Sequence, residues 1–224
     1  FLYLLGFYIL LLVLKIEYKI AVLGALAFGF STYLIIILGV GHNAKAHAIA
    51  YMPLVVSGII LTFQMRYFFG FILTAVASGL ELVTNHPQMT YYLGFLIIIL
   101  GLSFLIQAVK TKELPAFFKA STTLLVAAVL AFGMNATSLM ATSEYAKEST
   151  RGQSELTINS DGSTKAQTTG LDKAYITQYS YGKLETFNLL IPRFMGGGNR
   201  EDLGKDSETY KAFRALGATP LQAL

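Results

Sequence analysis

Apolar residues run along this chain in long blocks, not in the alternating or three-to-four-residue stripes of a soluble domain, and the blocks stop near residue 141. A helix needs roughly 20 apolar residues, at 1.5 Å rise each, to cross about 30 Å of hydrocarbon. Six stretches meet or approach that length: 1–14, 20–40, 46–65, 67–84, 90–109 and 120–141. The third and fourth are separated only by Arg66 and its neighbours, which predicts a tight helical hairpin. The pattern predicts an all-α polytopic membrane helix bundle of about six spans over residues 1–141, followed by a small mixed segment over 142–224. The first block reads as the remainder of a longer span. The chain opens without Met inside an apolar run, with no basic region ahead of it, and so reads as a piece cut at both ends.

Beyond residue 141 the pattern changes to Ser, Thr, Gln, Gly and charge. Alternation over 154–158 with the turn sequence Asn159-Ser160-Asp161-Gly162 predicts a short β-hairpin. Residues 184–195 hold Phe187, Leu189, Leu190, Ile191 and Phe194, too short a stretch to span and too apolar to leave in water. They predict an interfacial element or lid, followed by the turn Gly196-Gly197-Gly198. Ser207 predicts the start of a short helix over 208–216, ended by Gly217 and Pro220.

Composition sharpens the division. The 224 residues are 54% apolar and 13% charged, with a mean hydropathy of +0.56, where a soluble domain carries about 25% charge. Residues 1–141 hold seven basic and three acidic residues and 142–224 hold ten of each, so the whole net charge of +4 belongs to the apolar part. That placement signals membrane topology and not nucleic acid. Connections on one side carry Lys15, Lys19, Arg66, Lys110, Lys112 and Lys119, and those on the other only Lys45. Because Lys and Arg are retained in the cytoplasm, loops 41–47 and 85–88 and the whole of 142–224 are expected outside it. Cysteine is absent, which removes disulfides, thiolate metal sites and cysteine nucleophiles.

Candidate chemistry follows from that topology, since water and headgroups reach only the helix ends. Two polar clusters share the outer side: Gly41-His42-Asn43-Ala44-Lys45-Ala46-His47, entering a span with Pro53, and Glu81 with Asn85-His86-Pro87-Gln88, followed by Tyr91 and Tyr92. All three histidines lie in these clusters. Imidazole beside Lys suits an anionic headgroup, as acid, base or phosphate ligand. His42 and His47 are five apart and no HExxH helix is present, so no metal site is assigned. Glu81 costs roughly 2.5–3.5 kcal/mol in hydrocarbon and is expected to face the bundle interior or a wet cavity. Interfacial anchoring is the alternative for Tyr91, Tyr92 and the histidines, and snorkelling the alternative for Glu81. Asn135-Ala136-Thr137 matches a glycosylation sequon but falls inside the last expected span.

With Gly41-His42-Asn43-Ala44-Lys45-Ala46-His47 and Pro53, the run Asn85-His86-Pro87-Gln88-Met89-Thr90-Tyr91-Tyr92, and Tyr181-Gly182 through Glu185-Thr186-Phe187-Asn188-Leu189-Leu190-Ile191-Pro192, the chain resembles the bacterial YfhO family of integral membrane proteins, particularly its Bacteroidetes-like members. The resemblance runs along the whole chain and is most specific in the last motif. It implies a GT-C-like glycosyltransferase of the bacterial cytoplasmic (inner) membrane, with a polyprenyl-phosphate sugar as donor and a cell-envelope polymer as acceptor. It also implies a catalytic acidic residue in the first extracytoplasmic loop, upstream of this sequence, so no catalytic residue is assigned here. What remains is a donor- or substrate-binding set: His42, Lys45, His47, Asn85, His86 and Gln88 bordering one outward cavity, with Glu81 and Arg193 at its margin, joined by Asn43, Tyr91 and Glu185. A divalent cation at the donor phosphate stays open. Two alternatives from other classes are a transporter or flippase of lipid-linked precursors, motivated by Glu81 and Pro53, and a non-catalytic scaffold for envelope assembly. An inverted repeat would favour transport, and none is found.

The basic asymmetry generates a direct test. Topology reporters fused at Lys112 and at Ser163 should report opposite sides of the membrane; both on one side would overturn the orientation.

Overall fold

The computed structural model describes residues 1–147, 176–177, 180, 182–191, 194–195 and 204–219. They belong to two compact units, Phe1–Gln178 and Tyr179–Leu224. Among the described residues the structure is all-helical, with no strand. The hairpin expected at 154–162 and the glycine turn at 196–198 lie outside the described residues.

The first unit contains α1 (Leu2–Val13), α2 (Tyr18–Gly29), α3 (Thr32–Gly39), α4 (Asn43–Phe63), α5 (Tyr67–Val83), α6 (Pro87–Thr111), α7 (Leu114–Met134) and α8 (Ala136–Lys147). The starts have local causes. The Glu17 carboxylate accepts from the backbone N–H of Lys19 at 2.9 Å and of Ile20 at 3.2 Å, capping α2. Pro87 and Pro115 occupy the first turns of α6 and α7, where a missing N–H is not needed. Lys15, Met65 and Lys112 end α1, α4 and α6 with positive φ of 63°, 65° and 60°, so that backbone N–H groups fold back onto the last carbonyls.

Among the described residues three helices, α4, α6 and α7, are long and apolar enough to cross a membrane, and α2 with α3 forms a fourth if the pair, bent by 43°, counts as one broken span. The shorter apolar helices α1 and α5 have 12 and 17 residues. The last long helix also differs in register from the apolar run expected at 120–141. It starts at Leu114, because Pro115 fits a first turn, and it stops at Met134 before α8 resumes at Ala136.

The interior is built from small residues. Eleven of the twenty-one buried apolar residues among those described are alanines, whereas Phe68, Phe69, Ile98, Ile99, Leu125 and Val129 are exposed. Water would favour the reverse arrangement; hydrocarbon, as apolar as the side chains themselves, leaves close packing of small residues as the force between helices. Helix α4 is central, packing on α1, α3, α5, α6 and α7. About 61% of its spanning window is buried, against 11% for α6 and 17% for α7.

The tightest contact is between α4 and α5, which carry the same spacing, Gly58-x3-Thr62 and Gly70-x3-Thr74, in antiparallel register. A Cβ on Gly58 would stand 2.7 Å from the Thr74 nitrogen, and one on Gly70 would stand 2.6 Å from the Thr62 nitrogen and 2.8 Å from the Gly58 carbonyl oxygen. The Thr62 hydroxyl donates to that same Gly58 carbonyl at 2.9 Å.

The helix ends align in two sets. The Gln64 side-chain amide donates to the Val13 carbonyl at 3.0 Å. The Phe63 ring stacks on Phe104 at 4.2 Å and on Phe117 at 5.6 Å. These contacts gather the end of α1, the α4–α5 turn and the α6–α7 turn, with their lysines and Arg66, at one basic end. Tyr3, Leu34, Ile37, Ala46 and Ala50 cluster at the opposite, histidine end.

In the second unit a 3₁₀ turn, Glu185–Leu189, occupies part of the expected interfacial element. The Phe187 and Phe194 rings lie 5.7 Å apart. Helix α9 (Glu208–Ala215) begins where the Ser207 hydroxyl accepts from the Tyr210 N–H at 3.1 Å, and it ends before Gly217 at φ +88°.

The α4–α5 contact predicts opposite outcomes for one substitution at two sites. Gly58→Ala forces backbone apart and should lower unfolding stability by about 1–3 kcal/mol. Gly101→Ala meets no atom within 4 Å and should be neutral or stabilising by up to about 1 kcal/mol. Thermal unfolding in detergent compares the two.

Candidate functional site at the histidine end

The last turn of α5 and the first turns of α6 form this site. Thr84 closes α5, its hydroxyl donating to the Glu81 carbonyl at 2.7 Å. Asn85 then takes a left-handed conformation, φ 50°, which reverses the chain into His86 and Pro87. Asparagine tolerates that region better than most residues. The reversal lays Thr90 against Glu81. The Thr90 hydroxyl is shared between the two carboxylate oxygens at 3.0 and 3.1 Å. Glu81 is 1% exposed, and among the described residues Thr90 is the only side chain that hydrogen-bonds its carboxylate. It therefore faces the interior, as its cost in hydrocarbon requires.

Beside this pair lies a cavity of about 320 Å³, lined by Leu82, Asn85, His86, Pro87, Thr90, Tyr91, Phe132 and Leu139. Its apolar walls come from α5, α7 and α8, and its polar groups from the Asn85–Thr90 reversal. The buried His86 Nδ1 has no hydrogen-bond partner. The Asn85 side-chain oxygen accepts from the Thr142 hydroxyl at 3.2 Å, tying α8 to the rim. The far wall is clamped by Asn135, whose amide donates to the Gly79 carbonyl at 3.0 Å and to the Ala131 carbonyl at 2.9 Å. The arrangement can hold a molecule with an apolar body and a hydroxylated or anionic end: walls for the one, imidazole, amide and hydroxyl for the other.

The other expected residues fall elsewhere. His42, Asn43 and His47 are exposed at the start of α4, a helix whose neighbouring Ala46 and Ala50 pack on Tyr3, Leu34 and Ile37. Lys45 holds its ammonium 5.8 Å from the Tyr33 ring centroid. None of these four lines the cavity, and among the described residues no hydrogen bond or ion pair links them to Asn85 or His86. Gln88 is exposed, its amide donating to the Tyr92 hydroxyl at 2.9 Å. Tyr91 lines the cavity with its ring edge-on to Phe95 at 4.7 Å. Glu185 belongs to the second unit, where its carboxylate accepts from the Gly182 N–H at 2.8 Å and closes the 3₁₀ turn. Arg193 lies outside the described residues. No group of three or more His, Asp or Glu suited to a metal occurs among the described residues.

Sequence reasoning missed Thr90, Phe132, Asn135, Leu139 and Thr142. Thr90 sits nine positions from Glu81 across a reversal, a separation that no helical or strand period marks. Asn135 carried a visible signal, a lone amide between two helical runs, that reads equally well as a sequon. No family model matches the chain, and no curated protein or solved structure matches it either.

Thr90→Val keeps the shape and removes the donor that Glu81 depends on. It should destabilise the protein by about 1–3 kcal/mol, the cost of an unmet buried polar group, while Gln88→Ala, on the exposed face, should be neutral. Denaturation of both variants in detergent measures the difference.

Proposed function

We propose that this protein is a six-span GT-C-like glycosyltransferase of the bacterial cytoplasmic membrane. It takes a polyprenyl-phosphate sugar at the histidine end, on the outer face, for transfer to a cell-envelope polymer. The observation that carries this reading is the cavity at the α5–α6 reversal, where apolar walls meet unspent polar atoms at a helix end. An isoprenoid suits Leu82, Phe132 and Leu139, a sugar face suits the Tyr91 ring, and hydroxyl or phosphate oxygens suit His86 and Asn85. Glu81, reached through Thr90, supplies an acceptor behind the sugar hydroxyls. Exposed His42, His47 and the Lys45 ammonium, at the same end of the bundle, raise the local concentration of an anionic headgroup. No residue of this sequence is assigned as the catalytic acid or base.

A second reading is a flippase for the same lipid-linked class. It is favoured by the break between α2 and α3, bent by 43°, and by Pro53 inside α4, since discontinuous helices with a buried carboxylate are a transporter feature.

Photocrosslinking with a diazirine-bearing polyprenyl-phosphate sugar tests the site. Label should map to peptides covering 82–91 and 132–139, and His86→Ala or Asn85→Ala should cut it by about tenfold, the weight of one or two hydrogen bonds. Label elsewhere, or insensitive to both variants, would remove the cavity as the donor site. Transbilayer movement of the lipid in proteoliposomes without sugar transfer would favour the flippase.

A further inference from the structure

The opposite, basic end of the bundle carries a separate cavity of about 190 Å³ among the ends of α4, α5, α6 and α7. Its apolar side is the Phe63–Phe104–Phe117 stack. Its polar side holds Gln107 and Glu113. The Gln107 amide makes no hydrogen bond to a described residue. Glu113, at the N-cap of α7, gives its backbone no side-chain cap, and its carboxylate accepts only the Thr111 hydroxyl at 3.0 Å. Tyr67 completes the wall, and the Lys119 ammonium rests 4.6 Å from its ring centroid. Neither Arg66, beside Tyr67 in sequence, nor Lys119 has an ion-pair partner among the described residues.

A single rim therefore presents a carboxylate engaged by one hydroxyl, an unengaged amide and, against the Tyr67 ring, the Lys119 ammonium, above an aromatic floor. A purely anionic ligand would be repelled by Glu113 inside the cavity, and a purely cationic one by Lys119 beside Tyr67 at its edge. The charge pattern complements a headgroup that carries both signs a few bonds apart.

We propose that this cavity binds the headgroup of a zwitterionic phospholipid bearing a primary ammonium, the phosphoethanolamine class. The ammonium donates to Glu113 and to the Gln107 side-chain oxygen; the phosphate is held by Lys119. The acyl chains follow the exposed apolar faces of α6 and α7, where Leu102, Ile106, Val109 and Phe118 lie open. A primary ammonium is favoured over a trimethylated one because the acceptors need N–H donors. This binding is independent of the sugar-donor reading at the other end.

Native mass spectrometry of the detergent-purified chain, after equilibration with dioleoyl lipids bearing ethanolamine, choline or glycerol headgroups, reads the proposal. The ethanolamine lipid should be retained best. Glu113→Gln and Lys119→Gln, both exposed, should each weaken its retention by about tenfold, the weight of a charge-assisted hydrogen bond. Unchanged unfolding temperature in lipid-free detergent shows that the variants are folded, and Gln107→Leu provides an independent variant of the same wall. Equal retention of the choline lipid, preference for the glycerol lipid, or ethanolamine-lipid retention unchanged in Glu113→Gln would each overturn the assignment. Loss of retention in Glu113→Gln with photolabelling at 82–91 intact would separate this site from the one at the histidine end.

Discussion

The α4–α5 contact is the constraint on which the remaining packing rests. Two helices can approach until a glycine of one meets the backbone of the other only if no Cβ intervenes, and here this happens twice in mirror fashion, Gly58 on Thr74 and Gly70 on Thr62. In hydrocarbon the dispersion gained over such a contact is the main attraction between helices, with interhelical hydrogen bonds adding to it. The arrangement accepts a loss at Thr74, whose buried hydroxyl finds no partner, a penalty of about 1–3 kcal/mol in most interiors. Because register is set by these glycines, so is the depth of everything further along α5, Gly79 and Glu81 included.

From that register follows the histidine-end site. Asn135 meets the Gly79 carbonyl on a face where the Met134 methyl lies 2.9 Å from where a Cβ on Gly79 would stand, so a side chain there would have to displace the flexible end of Met134. The same end of α5 delivers Glu81 to Thr90, and the left-handed Asn85 between them turns the chain sharply enough for one hydroxyl to serve both carboxylate oxygens. The cavity lies between this reversal and the α7–α8 junction, with Phe132 on one side of Asn135 and Leu139 on the other. Polar groups at the two ends of the bundle thus differ in kind: at one, a buried carboxylate held by the Thr90 hydroxyl, and at the other, which carries most of the bundle's lysines and Arg66, the exposed carboxylate of Glu113. Such asymmetry suits a protein whose two faces meet different chemistry.

Much of this was legible from residue order alone. Blocks of apolar residues, punctuated by Lys15, Arg66, Lys112 and the histidine loops, identify a helical bundle with membrane-crossing helices over 1–141, because helix is the structure that satisfies a backbone in lipid without help from neighbours. The helical hairpin about Arg66 and the short helix after Ser207 were equally readable, since turns and caps are chosen by adjacent residues. Glu81 was marked by its cost, and its inward orientation follows from the same cost.

What tertiary structure alone decided is which helix is central and which polar residues meet. Hydropathy looks the same whether an apolar run faces outward or inward, so the mark that separates the buried α4 from the more exposed α6 is that 43–63 is richer in small residues than 87–111. Small-residue contacts choose between them, and those depend on both partners. Likewise, His42 and His86 sit in loops of the same end and read as one cluster, yet α4 turns its start toward α1 and α3 while the α5–α6 reversal opens toward α7 and α8. Lateral position around a bundle is a property of packing and not of depth, and depth is all that hydropathy and basic residues encode. Thr90, Asn135 and Thr142 became partners of Glu81, Gly79 and Asn85 for the same reason: hydrogen bonds between helices are written in pairs of residues far apart in the chain, and only the packed bundle brings those pairs together.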